Sequence, residues 1–131
     1  MDSQHLSIEG YWDVDVLYDV CPQDLGEVER RLMMLGAPEQ YINDAVVNLS
    51  GWDAGYTFTT FGQRTSLVCI GRAETLREFL NTVDHEIDHV QDHVASYYGV
   101  TLGTEEAAYL QGYIGGRLFE FIIKKMLNQR T

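Results

Sequence analysis

The sequence predicts an α+β fold: a small, mostly antiparallel sheet packed on a long helix, with a second long helix at the C-terminal end. Three observations predict it. Residues 11–20 alternate between apolar and polar with a period of two. Two further β-rich runs follow after a helical interval, and beyond about residue 74 the apolar residues recur at helical spacing. A chain of 131 residues is expected to form one domain, 1–131. It is long enough to bury about two-thirds of its unfolded surface without covalent staples. Repeats, low-complexity tracts and Pro/Ser-rich linkers are absent from it.

The elements read in order as follows. Trp12, Val14, Val16, Tyr18 and Val20 alternate with Tyr11, Asp13, Asp15, Leu17 and Asp19, a strand with one wet face that Pro22 ends. Leu25, Val28, Leu32 and Leu35 form a helical stripe stopped by Gly36 and Pro38. Tyr41, Ile42, Ala45, Val46 and Leu49 mark a second short helix closed by Gly51. Tyr56 to Phe61 and Ser66 to Ile70 make a hairpin around Gly62-Gln63. From about Glu74 to Tyr98 one apolar stripe runs through Leu76, Phe79, Leu80, Val83, Ile87, Val90, Val94 and Tyr97. The last helix spans about Glu105 to Leu127, with Thr104 as N-cap and Lys124 and Lys125 in its final turn.

Composition narrows the function. With 45% apolar residues the chain reads as soluble and globular. A net charge of −11 argues against binding nucleic acid or anionic lipid, since both repel an acidic surface. No apolar run approaches the ~18 residues of a membrane span. MDSQHLSIEG has no basic region followed by an apolar core, so no secretory signal is expected there. Cys21 and Cys69 lack metal-ligand spacing and read as reduced, buried small hydrophobes of a cytoplasmic protein, with one disulfide as the alternative.

The chemistry concentrates in His85-Glu86-Ile87-Asp88-His89, an HExxH inside the long helix. Histidines at i and i+4 project from one helical face, so both imidazoles reach one tetrahedral ion. At ~100° per residue they point nearly opposite Val83, Ile87, Val90 and Val94. Glu86 stands where it takes a proton from a metal-bound water, whose pKa zinc lowers toward ~7. Three protein ligands and one open position distinguish a catalytic zinc site from a structural one.

His93 extends the histidine series, but i to i+8 is a rise of about 12 Å, too far for three imidazoles of one straight helix to share an ion. His93 is expected on the surface or supporting the ligands. The third metal ligand is expected at Glu105, with Glu106 as the alternative, carried back by the return of the next helix. Ala108, Gly112 and Gly116, with Gly115 beside them, form a ridge of small residues that predicts close approach of the two helices. Tyr109 and Tyr113 follow Glu105 at i+4 and i+8; either phenol is a candidate oxyanion donor, and core packing is the commoner role. His5 is expected to be exposed, and Asp13, Asp15 and Asp19 to form the wet face of their strand.

At these residues the chain resembles the gluzincin branch of zincin metallopeptidases, which carry HExxH and a downstream glutamate. HEIDHVQDHVASYYGV followed by TEEAAYLQGYI looks like small zincin-like proteins encoded by phages and other mobile elements. In that group a glutamate stands four residues before an aromatic, which implies Glu105 as ligand, with Ala108 and Tyr109 completing the pattern. The resemblance covers roughly residues 74–120. It implies a minimal zincin-like fold, Zn2+ as cofactor, a peptide or protein substrate, and Thr65 to Ile70 as the strand on which that substrate lies. The chain departs from larger gluzincins in lacking a C-terminal subdomain and the Asn-Glu opening of the glutamate helix.

The expected function is therefore zinc-dependent hydrolysis of peptide bonds. The alternatives are a catalytically inactive, metal-stabilised interaction protein of a phage or mobile element, and, ranked below it, an acidic decoy imitating nucleic acid.

Overall fold

In the computed structural model, which describes residues 1–127, one four-stranded sheet lies between two helical layers. Strands β1 (Asp2–Ile8) and β2 (Trp12–Val20) form an antiparallel hairpin turned at Glu9 and Gly10, both with positive φ. A 3₁₀ turn, Pro22–Asp24, leads to helices α1 (Leu25–Met34) and α2 (Glu39–Leu49). Strands β3 (Gly55–Thr60) and β4 (Thr65–Gly71) make the second hairpin. Helix α3 (Leu76–Tyr98) and helix α4 (Glu105–Phe121) follow, the latter running into a π-helical segment, Ile122–Leu127.

The strand order is β1-β2-β4-β3, with β2 and β4 parallel and the two outer pairings antiparallel. The predicted α+β fold with a mostly antiparallel sheet is the one observed. Helices α1 and α2 cover one face, packing Val28, Leu32, Ala45 and Leu49 on Leu17, Leu67 and Cys69. Helices α3 and α4 cover the other, where Val83, Ile87, Val90, Val94, Ile114 and Leu118 meet Trp12, Val14, Val16, Tyr18, Val68 and Ile70. Full burial of a Val or Ile side chain contributes roughly 1.5–3 kcal/mol. Four such residues of α3 therefore fix its opposite, solvent-facing side relative to the sheet.

Four expectations about the sheet change. Strand β1 was not expected, because DSQHLSI offers only Leu6 and Ile8 to the core. Of the expected wet positions of β2, Asp13 and Asp19 are exposed and Asp15 partly so, but Leu17 between them is buried beneath α1 and α2. Asp19, with φ of 58°, sits where the ladder shifts register, and this bulge turns Val20 away from Tyr18 and into the α1–α2 core. Finally, β4 is hydrogen-bonded on both sides, so it has no free edge on which an extended peptide could pair; the edge on that side of the sheet is β3.

Helix ends obey their caps. Thr75 accepts from the Glu78 amide at 3.1 Å, and Gly99, with φ of 71°, closes α3 in the left-handed region. Thr104 caps α4, as expected, by accepting from the Ala107 amide at 3.3 Å. The small-residue ridge does not make the helix contact: added methyl groups at Gly112 and Gly116 would meet nothing. The interface uses the neighbouring face instead, with Gly115 against Ile87 and the Gln91 side-chain amide donating to the Ala107 carbonyl at 2.8 Å. No helix among the described residues is long and apolar enough to cross a membrane.

Candidate metal centre

On the solvent side of α3, His85 and His89 stand one turn apart with their Nε2 atoms 3.2 Å from each other. Two nitrogens bound tetrahedrally at the usual zinc distance of 2.0–2.1 Å are about 3.3–3.4 Å apart. The imidazole pair therefore has the spacing of two ligands on one ion. Donor atoms of His85, Glu86 and His89 all lie within 4.8 Å of one another, and among the described residues this is the one such metal-capable cluster. Both histidines are exposed, whereas Glu86 is buried to 4% exposure.

That contrast comes from the position of β3. Glu86 points toward this strand, and its Oε1 accepts from the Thr57 hydroxyl at 2.7 Å. A methyl group at Gly55 would lie 2.8 Å from both Cγ and Oε2 of Glu86 and from Cγ2 of Thr82. Gly55 thus supplies the space in which the carboxylate sits, and Thr57 holds one of its oxygens.

Two residues further along β3, Thr59 meets His93, Oγ1 to Nδ1 at 2.7 Å. Thr59 Oγ1 also lies 2.8 Å from the buried Ser66 Oγ, which accepts from the Trp12 indole at 3.1 Å. His93 is half-buried, and desolvation holds its pKa below the usual histidine range; the Asp92 charge opposes this and His89 adds to it. Its ring lies 6.4 Å from that of His89 and 5.8 Å from that of Phe61, centre to centre. It stands outside the His85–Glu86–His89 cluster, as the helical rise requires.

The two glutamates at the head of α4 point to different places. Glu105 lines a hollow with Asp88 and Gln91, on the flank of α3 next to the histidine row. Glu106 lines the opposite hollows, with Tyr11, Leu110 and Tyr98 or Tyr113. Neither belongs to the three-residue cluster. Tyr109, 73% exposed, and Tyr113 border the hollow beside Ile8, Glu9 and Tyr11, and the Tyr113 hydroxyl donates to the Ser7 carbonyl at 3.2 Å. The structure therefore groups both phenols with the β1–β2 hairpin and not with His85 and His89.

Elsewhere, His5 bonds Asp15 at 2.7 Å and approaches Asp13 at 3.6 Å on the exposed face of the first hairpin. Cys21 and Cys69 are both free thiols. Burial, reinforced by the Glu86 charge and opposed by Arg31, pushes the Cys69 thiol up to about 12, so it is inert at neutral pH.

Comparison with protein-family models, with curated proteins and with solved structures yields no match.

Proposed function

We propose that the protein is a zinc-dependent peptidase of the zincin type. The observation that carries this reading is the pair of imidazole nitrogens 3.2 Å apart with the buried, hydrogen-bonded Glu86 carboxylate beside them. Nitrogen donors at ligand spacing on one rigid helix suit zinc, and the acidic hollow at Glu105 supports this residue over Glu106 as the third ligand. Bound zinc supplies Lewis acidity: it polarises the scissile carbonyl and brings the ionisation of water toward a pKa of ~7.

The chain's own residues do the rest. His85 and His89 would hold the ion, and the buried Ile87, between them in sequence, and Val90, next after His89, lock the helix that presents them. Glu86 takes a proton from the attacking water as the water oxygen bonds to the carbonyl carbon. It then delivers that proton to the amine nitrogen as the carbon–nitrogen bond breaks. The Thr57 hydroxyl fixes one carboxylate oxygen, leaving the other to exchange the proton. An extended substrate pairs with the outer edge of β3, which runs beside the histidine row; this assigns to β3 the task expected of β4.

Metal analysis of protein purified without added metal is the first test. About one zinc per chain is expected, lost in a His85→Ala/His89→Ala variant and reduced in Glu105→Ala. Glu86→Gln should keep the zinc and lose about 10²–10⁴-fold in peptide cleavage. Unchanged cleavage by Glu86→Gln, or failure to take up zinc on reconstitution, would overturn the reading.

A further inference from the structure

The chain Trp12–Ser66–Thr59–His93 fixes more than the position of His93. An indole N–H only donates, so the Ser66 oxygen is an acceptor at one end. Ser66 is fully buried, and its hydroxyl proton has Thr59 Oγ1, 2.8 Å away, as its partner. Thr59 then spends its own proton on His93 Nδ1 at 2.7 Å. The opposite direction, with Nδ1 donating, would leave one hydroxyl proton of the chain, on Ser66 or on Thr59, without a partner among these four groups; on the buried Ser66 that costs about 1–3 kcal/mol. The satisfied arrangement leaves His93 Nδ1 as an acceptor and its proton on Nε2.

We propose that His93 is a catalytic residue of the peptidase, its Nε2–H donating to the substrate's scissile carbonyl oxygen as negative charge develops there. The proposal rests on the peptidase reading and supplies the donor that Tyr109 and Tyr113, on the hairpin side of α4, do not. His93 follows His89 along the same row, and with Thr57 and Phe61 it lines the hollow over the outer edge of β3 where the substrate would lie. A donor held from behind by a relay buried in the sheet needs no reorganisation as that charge forms, which is the condition for effective electrostatic stabilisation.

Two measurements test it. Nitrogen-15 correlation spectra of the His93 ring at neutral pH, without substrate, should show protonated Nε2 and bare Nδ1. In Ser66→Ala this preference should weaken. A ring protonated on Nδ1 overturns the proposal whatever the activity. With a peptide that the zinc-loaded wild type cleaves, His93→Phe should lose about 10²-fold in kcat at unchanged KM and zinc content. His93→Gln, which keeps an N–H at the same reach, should recover part of the loss. Full kcat in His93→Phe overturns the role of His93 alone. If the zinc-loaded wild type cleaves no peptide, both this role and the peptidase reading fall.

Discussion

A single absent methyl group lets the Glu86 carboxylate, the proposed general base, occupy its place. Gly55 has no side chain, and the volume that a Cβ would fill is taken by the Glu86 carboxylate and the Thr82 methyl, each 2.8 Å from it. Contacts that short force something to move. Backbone at position 55 is tied to Ile70 in the sheet, so the movable partner is the Glu86 side chain. Gly55→Ala should thus pull Glu86 out of register with His85 and His89 while leaving both imidazoles untouched. The expected result is a loss of at least about tenfold in kcat at full zinc content, since displacing a proton-transfer group by even 1 Å costs on the order of 10²-fold. A variant with normal kcat would mean that Glu86 works from elsewhere. Nothing local in the sequence around Gly55 announces this, because the clash is with a residue 31 positions away. Within α3, by contrast, His85, Glu86 and His89 were legible from spacing alone, since helical geometry converts sequence distance directly into spatial distance.

Between elements, the placement of Glu105 depends on how α4 docks on α3. Among the described residues, the one buried polar contact across that interface is Gln91 to the Ala107 carbonyl, two residues from Glu105. Gln91→Ala removes this second hydrogen bond on a carbonyl that α4 still bonds within the helix, which costs about 0.5–1.5 kcal/mol. Loss of the contact also loosens the first turn of α4. Zinc affinity should therefore fall in step with a lower urea midpoint, measured on apo and zinc-loaded protein. If the midpoint drops while zinc affinity stays at the wild-type value, Glu105 is not a ligand. Sequence patterning found α3, α4 and the Thr104 cap but assigned the interface to the wrong face. Gly112 and Gly116 face open space, while Ala107 and Gly115 meet α3. Helical periodicity defines the faces of a helix without saying which one its neighbour takes. The same limit hid β1, whose exposed outer positions carry Ser3, His5 and Ser7, and hid the parallel pairing of β2 with β4. Pairings between strands separated by two helices leave no local trace.

Across the whole molecule, charge is arranged around the centre as well as in excess. Asp84, Asp88 and Asp92 are all exposed on α3 and form a row at spacing four beside His85, His89 and His93. Glu105 adds to the same flank, and the chain as a whole carries a net charge of −11. A peptide approaching the β3 edge therefore meets a wall of carboxylates along one side of the histidine row. Like charges at that wall repel, while lysines or arginines flanking the scissile bond gain from it, and both effects weaken as the Debye length shrinks from about 10 Å at 0.1 M salt to about 3 Å at 1 M. A matched pair of peptides, identical except for flanking Lys or Glu, measures this directly. At low ionic strength kcat/KM for the Lys peptide should exceed that for the Glu peptide by roughly tenfold or more, within the range that steering supplies. The ratio should fall toward one at 1 M salt. Asp88→Asn with Asp92→Asn should narrow it at low salt without changing kcat. A ratio near one throughout would mean that substrates approach from the opposite side of the row, over Thr57 and Thr59 and away from that wall.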